Sequence, residues 1–357
     1  MNKVLKVLVT GGSGFVGSNV AEYYAKKAND VIVFDNLSRS DLLKKGSENR
    51  NYNQNYLKQY SNILFINGDI TNFEQIEEAC KEVDVVFHTA AQTAVTASIP
   101  DPKTDFKINA LGTFNVLEAA RKSGNDISII YCSTNKVYGN NVNTIKVKKS
   151  ETRYTFEEKF EDGIPETFPI DLCEHTPYGC SKLTGDLYAQ DYAQTYGLKT
   201  GIFRMSCIYG SRQFGVEDQG WVAWFVIATI LGMPLTIFGD GKQVRDVLYI
   251  SDLIHAFDNF LERKDKLSGE VFNLGGGKEH SLSLIELVSL LQKLTGKKSK
   301  LYYDEWRSSD QKVYVSNIGK AKEKLGWIPI IRPEKGVKML VNWVQSNRFL
   351  FDRRVKS

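Results

Sequence analysis

The chain has 357 residues, 42% hydrophobic and 25% charged, with a formal net charge of +4. These are the proportions of a soluble globular protein, long enough for one large α/β domain and a smaller one. The charge is dispersed, its one basic cluster being the short run Arg353-Arg354-Val355-Lys356, which argues against nucleic-acid binding as the main activity.

From the N-terminus, short apolar strands alternate with helical segments, the pattern of a parallel sheet covered on both faces. Strands are expected at Val4–Val9, Val31–Phe34, Ile63–Ile66, Val83–Phe87 and Ile127–Tyr131, and helices at Phe15–Lys27, Phe73–Lys81 and Thr113–Lys122. Residues 36–60, rich in Asn, Lys, Gln and Tyr, are expected as a polar surface loop with some helix. Residues 140–175 are acidic and irregular, suited to a flap over a site. A sixth strand is expected at Thr200–Phe203. Beyond it the alternation breaks into loops, short strands and helices rich in Trp, Tyr and Gly. The fold class is therefore α/β: a Rossmann doubly wound parallel sheet with a smaller C-terminal substrate-binding lobe. The first domain spans 1–180, completed by segments near 200–210 and 245–275; residues 181–350 form most of the second, interleaved lobe.

No apolar stretch approaches the roughly 20 residues needed to cross a bilayer, and nothing at the N-terminus resembles a signal peptide. A cytoplasmic location is expected. Five cysteines, Cys80, Cys132, Cys173, Cys180 and Cys207, show no metal-like spacing and read as reduced thiols. No metal is expected.

Thr10-Gly-Gly-Ser-Gly-Phe-Val-Gly17 stands between the first strand and the first helix. In that place one glycine makes the tight turn, one lets backbone amides approach a pyrophosphate, and one lets helix and strand pack closely. Two spacings satisfy the motif, Gly12/Gly14/Gly17 and Gly11/Gly14/Gly17. The phosphates would meet the helix N-terminus, with Phe15 and Val16 beside them. Asp35, ending the second strand, accepts from ribose hydroxyls and repels a 2′-phosphate, so the cofactor read from the residues is NAD rather than NADP. Asn36 adjoins it, Asp69 and Ile70 suit the adenine edge, and Ala90 and Gln92 should run beside the cofactor. Asn109 is also placed with the cofactor residues, although for it and Asn115 a structural role, tying down loop backbone, is the stronger reading.

Tyr178 and Lys182 lie four apart and so share one face of a helix. An ammonium there favours the phenolate and should lower the tyrosine from its ordinary value of about 10. A tyrosine so tuned accepts a proton from an alcohol, which with a dinucleotide site points to alcohol oxidation by a nicotinamide.

Ser133-Thr134-Asn-Lys-Val-Tyr-Gly139, Tyr178-Gly-Cys-Ser-Lys182, Phe203-Arg-Met-Ser-Cys-Ile-Tyr-Gly210, Gln243-Val-Arg245-Asp246 and Phe272-Asn-Leu-Gly275 together resemble the extended short-chain dehydrogenase/reductase family. That family includes NAD-dependent sugar-nucleotide epimerases and dehydratases, and the resemblance covers nearly the whole chain. It implies that Tyr178 is the acid/base, Lys182 its modulator and a ribose ligand, and Thr134 the hydroxyl that hydrogen-bonds the reacting oxygen. Dehydratases resemble the chain but carry Asp-Glu directly after the Thr. Here Asn135 and Lys136 stand instead, and neither can act as that acid and base.

Longer combinations, Glu151-Thr-Arg-Tyr154, Tyr209-Gly-Ser-Arg-Gln-Phe214 and Asp218-Gln-Gly-Trp-Val-Ala-Trp-Phe225, are similar to the CDP-paratose (CDP-tyvelose) 2-epimerase subgroup. This resemblance implies inversion at carbon 2 of a nucleoside diphosphate hexose, a CDP-hexose first of all, by oxidation to a 2-keto sugar and return of the hydride to the other face. Arg245, Arg307 and Arg212 suit a grip on the substrate's pyrophosphate. Gln219 and Trp221 suit a nucleobase or sugar pocket, and Asn135 the sugar hydroxyls. Ser206 and Gln243, from the family motifs above, and Asp310, in Arg307-Ser-Ser-Asp310-Gln311, are placed with the substrate. A 4-epimerase, a promiscuous hexose epimerase and a non-catalytic NAD-binding scaffold remain as alternatives. The expected assembly is a homodimer or homotetramer.

Overall fold

Val7 to Thr10 are buried without a gap, and so are Val31 to Phe34 and every residue of Ser128–Thr134. Strands buried on both faces belong inside a parallel sheet, and a parallel sheet is what they form. The computed structural model describes residues 4–39, 51–124, 126–307 and 310–351. Strands β1 (Lys6–Thr10), β2 (Asp30–Asp35), β3 (Ile63–Asn67), β4 (Val85–His88) and β5 (Ser128–Thr134) are linked by α1 (Phe15–Lys26), α2 (Phe73–Ala79) and α3 (Gly112–Lys122). After a hairpin, β6 (Val147–Lys149) and β7 (Tyr154–Phe156), comes α4 (Thr176–Tyr196). It leads to β8 (Lys199–Met205), β9 (Cys207–Tyr209), α5 (Trp221–Leu231), β10 (Leu235–Phe238) and β11 (Val244–Tyr249). Then follow α6 (Ile250–Leu261), β12 (Glu270–Leu274), β13 (Ser281–Ser283), α7 (Leu284–Thr295), β14 (Leu301–Asp304), β15 (Val313–Tyr314) and α8 (Pro333–Ser346).

The central sheet has seven strands in the order β3-β2-β1-β4-β5-β8-β12, and every pairing in it is parallel. This is the doubly wound arrangement. Its order reverses between β1 and β4, and ligands of such sheets bind at that crevice. Two apolar clusters cover the faces, one running through Tyr24, Phe87, Phe203 and Phe257, the other through Leu8, Ile129, Ile202 and Val116. The remaining strands make three small sheets in the C-terminal half and the strap: β13-β11-β15 with β9 on β11, β10-β14, and β6-β7.

The expected boundaries of three strands move for reasons of pairing. β4 starts at Val85 because Asp84 turns aside, its carboxylate accepting from the Lys6 amide at 2.9 Å. β5 and β8 outrun their apolar cores, since the ladder continues to Thr134↔Met205. That extension carries Thr134 to the strand end that faces the crevice. Helix α3 is also preceded by helix Pro102–Phe106 and a π-turn at Lys107–Leu111; π-turns recur where side chains must be re-aimed. Within the expected polar loop 36–60, residues 52–57 are helical and residues 40–50 lie outside the described residues.

The segment 140–175, expected as a flap, is instead a packed strap. Tyr154, Phe156, Ile164 and Phe168 bury against Tyr138, Val313 and Tyr314, the Tyr154 amide donates to the Lys242 carbonyl at 2.9 Å, and Arg153 pairs with Glu286. Its aromatic residues, hidden in an acidic stretch, supply the packing.

Candidate active site

At the β1–α1 turn, Gly11 has φ +68°, and a Cβ there would meet the Ala90 Cα at 2.6 Å. A Cβ on Gly17 would lie 2.3 Å from the Gly11 carbonyl, whereas on Gly14 it meets only that carbonyl, at 3.1 Å. Turn, open approach and close packing thus fall to Gly11, Gly14 and Gly17. Gly12 instead faces Val33, which decides between the two spacings. Gly14 is the N-cap of α1 and no side chain caps that helix, leaving its first amides for an anion.

Asp35 accepts from the amides of Ser13 (2.9 Å) and Leu37 (2.7 Å), and burial raises its carboxyl above the ordinary range despite them. Asn36 donates to Asp69 at 3.0 Å. Phe15, Val16, Asp35, Asn36, Asp69, Ile70 and Ala90 line one cleft with Gly11 and Gly14. The cradle fits a dinucleotide: the glycines leave room where phosphates need it, and the Ser13 hydroxyl on its rim is buried without a partner among the described residues.

Gln92 and Asn109 are elsewhere. Asn109 is fully buried, and its amide is consumed by Gln92, Asp105 and Ser181. Gln92 bonds back to Ala94. They brace the 90–94 loop from behind, because the π-turn points Asn109 inward. Asn115 likewise holds the Ile70 carbonyl at 2.9 Å. Sequence reasoning missed Arg39, Asn53, Gln213 and Phe214 on the cleft wall; none belongs to the glycine motif or follows a strand by a fixed spacing.

Thr134 ends β5, and Pro177 opens α4, whose Tyr178 amide donates to the Ser98 hydroxyl at 3.2 Å. The Lys182 ammonium lies 4.3 Å over the Tyr131 ring, and the Tyr131 hydroxyl donates to the Lys182 carbonyl at 3.0 Å. Burial pushes the Tyr178 phenol up to about 12, the nearby Thr134 hydroxyl lowering it and the Asp105 carboxylate adding to the rise. Burial also brings Lys182 down to about 8. The lowered tyrosine expected from the spacing is therefore absent in the chain alone: both groups are desolvated, and the loss of water around the phenolate is the largest influence on Tyr178. Bound NAD would supply the hydride acceptor, and the positive charge of its oxidised form would favour the Tyr178 phenolate.

A second cavity holds Gln219, Trp221, Gln243, Arg245, Arg307 and Asp310 together, with Lys136. Arg245 pairs with Asp310 at 2.6 Å. Arg307 pairs with Asp218 at 3.3 Å and sits 3.8 Å over Phe238. Gln219 lines both cavities and accepts from Arg39 at 2.7 Å, so it marks the wall between them. Gln243 donates to the Phe238 carbonyl at 2.6 Å, and its own carbonyl oxygen is buried without a partner.

Three residues expected here lie outside it. Ser206 is bound to Asp246 at 2.5 Å. Asn135 is buried and accepts from the Thr134 hydroxyl at 3.3 Å, bracing that side chain. Arg212 lines the first cleft and pairs with Glu22 at 2.7 Å, because the loop after β9 folds back over α1. Lys136, noted in the sequence only for what it replaces, borders the second cavity; burial, with Arg245 adding, lowers it to about 8. All five cysteines are free. Among the described residues no group of three or more His, Cys, Asp or Glu is placed to hold a metal, and no helix is long and apolar enough to cross a membrane.

A doubly wound sheet with this glycine turn, a Tyr-Lys pair on α4 and a second, cation-lined cavity defines a nicotinamide-dependent enzyme of the extended dehydrogenase/reductase class. The NAD dependent epimerase/dehydratase family matches residues 7–275, and the chain belongs to it. Its cofactor is NAD. The CDP-paratose 2-epimerase of Salmonella typhi is 41% identical over 349 residues, covering 96% of this chain and 100% of that one. The structure of a UDP-glucose 4-epimerase from Thermotoga maritima with UDP-glucose has a TM-score of 0.78 at 32% identity, covering 96% of this chain and 100% of that one. A UDP-glucuronic acid 4-epimerase from Bacillus cereus, with UDP-glucuronic acid and NAD, has a TM-score of 0.80 at 27% identity and the same coverage.

Proposed function

We propose that the chain inverts carbon 2 of a nucleoside diphosphate hexose, converting CDP-paratose to CDP-tyvelose. The observation that carries an epimerase rather than a dehydratase is the pairing of Thr134 with Tyr178 at the end of β5, followed by Asn135 and Lys136 where elimination needs two carboxyl groups. The similarity to a CDP-paratose 2-epimerase supports carbon 2 and the cytidine nucleotide.

Carbon 2 of a pyranoside has no adjacent carbonyl, so its hydrogen is not acidic and oxidation must come first. Tyr178, as phenolate, takes the proton of the 2-hydroxyl as the hydride leaves carbon 2. Thr134 donates a hydrogen bond to the same oxygen, and Lys182 steadies the phenolate. Arg245 and Arg307 grip the diphosphate while the 2-keto hexose turns over. When the hydride returns to the opposite face, Tyr178 gives the proton back, so protons and electrons balance. Gly11, Gly14, Phe15, Val16, Asp35, Asn36, Asp69, Ile70 and Ala90 hold the cofactor in this scheme, with Lys182 on its ribose.

The test uses CDP-paratose deuterated at carbon 2: the tyvelose product should keep the label within the same molecule, and washout into solvent refutes the scheme. The second reading is 4-epimerisation, favoured by the likeness to UDP-glucose and UDP-glucuronic acid 4-epimerases. Product configuration from CDP-paratose, UDP-glucose and GDP-mannose separates the two. A homodimer or homotetramer is supported by exposed Leu187 and Tyr188 on α4, beside Phe114 of α3, and light scattering would report it.

A further inference from the structure

Arg212 is only 6% exposed, yet two of its nitrogens, Nε and Nη2, are buried without a partner among the described residues. Its Nη1 pairs with Glu22 at 2.7 Å and its guanidinium lies 4.3 Å over the Tyr56 ring. Glu22 cannot satisfy it alone. That carboxylate also accepts from Lys26 at 2.6 Å, Tyr56 at 2.8 Å and Tyr60 at 3.1 Å, so one anion serves two cations. Idle buried donors on a charged group are costly, and native proteins keep few of them. The backbone adds a second cost, for Arg212 has φ +66° without being glycine, and such strain gathers where a ligand is held.

The surroundings say which ligand. Arg212 lines the cofactor cleft with Ser13, Gly14 and Phe15. Asn53, on the same wall, donates to the Gly14 carbonyl at 3.3 Å. Gly14 begins α1, whose first amides have no side-chain cap, and the Ser13 hydroxyl is likewise buried and unpartnered among the described residues. Unfilled donors from two parts of the chain thus line the same cleft, one set of them at a helix N-terminus, where an anion sits.

We propose that Arg212 is a ligand of the cofactor's pyrophosphate, reaching from the loop after β9 to clamp it against the start of α1. The guanidinium then has Glu22 on one edge and phosphate oxygens on the other, a geometry its planar fork suits. The clamp ties the cofactor to the C-terminal half of the chain, so release must break a buried ion pair. A cofactor that has to stay bound between two hydride transfers needs such a hold. The inference depends on NAD binding and not on which sugar carbon is inverted.

Full-length wild type, Arg212→Met and Arg212→Lys would be purified and their bound nucleotide released and quantified. The stripped proteins would then be titrated with ADP, adenosine and CDP. Arg212→Met should copurify with less NAD and bind ADP at least about ten-fold more weakly, the loss of one charge-assisted contact, with adenosine and CDP unchanged. Arg212→Lys, which keeps the charge without the fork, should fall between. Equal weakening of ADP and adenosine, an unchanged ADP affinity, or loss confined to CDP would each overturn the proposal. If Arg212→Met fails to fold, the ADP-to-adenosine ratio of Arg212→Lys decides it by the same criteria.

Discussion

Replacing Asp186 by Asn tests how the reacting residues are held in register. Asp186 is wholly buried on α4 and accepts two bonds from Arg204 of β8, at 3.0 Å each, one from Ser133 of β5 at 2.5 Å and one from Gln190 at 2.7 Å. Arg204, itself 4% exposed, also donates to the Tyr138 hydroxyl at 3.2 Å. Burial works against its charge, and the Asp186 carboxylate more than restores it, raising the guanidinium above its ordinary value. An amide in place of the carboxylate leaves that charge buried and unbalanced, which costs about 3–5 kcal/mol. At about 2 °C per kcal/mol for a chain of this size, the melting temperature should fall by about 6–10 °C. Because Ser133 adjoins Thr134 and Asp186 sits one turn beyond Lys182, kcat should fall as well. Calorimetry and steady-state kinetics on Asp186→Asn, Arg204→Met and the double variant form the assay. The double variant should be less destabilised than the sum of the singles, since it buries no lone charge. A melting temperature for Asp186→Asn within a degree of wild type, or strict additivity, would refute the reasoning.

Tyr178→Phe should lower kcat by about 10²–10⁴, the usual worth of a general acid/base, while copurified NAD stays at the wild-type level; unchanged turnover would remove Tyr178 from the chemistry. Lys136, lowered to about 8 by burial and Arg245, is protonated below that pH and neutral above it. Affinity for CDP should therefore decline as pH rises through about 8, and Lys136→Met should flatten the decline, as titration calorimetry from pH 7 to 9 would show. Asp35→Ala removes the carboxylate that repels a 2′-phosphate, so NADP affinity should rise by about ten-fold relative to NAD; an unchanged ratio of the two dissociation constants would place the discrimination elsewhere.

Much of the site could be read in advance because its residues obey local rules. The glycine turn is a matter of three positions in one loop, and Asp35 is tied to the end of the next strand. Tyr178 and Lys182 need only a helix to share a face. The apolar runs of β1, β2 and β5 announced a parallel sheet for the same reason. Errors arose where partners are distant in sequence. Arg212 went to Glu22, Ser206 to Asp246 and Gln92 to Asn109, because a polar side chain bonds to what the fold brings near it, and a motif does not say what that is. The strap 140–175 looked irregular because its aromatic anchors are spaced without period, each meeting a different element.

The order of strands and helices through β5, the dinucleotide turn and the tyrosine–lysine pair were determined by the sequence alone, since steric and periodic constraints act over a few residues. Tertiary structure decided which glycine turns the chain, which arginines face which cavity, and how charged each group is. Desolvation decided the last of these: Tyr178 stands near 12, above its ordinary value where the spacing implied a lower one, and Lys182 near 8, because the energy of a charge depends on the water that folding removes from around it.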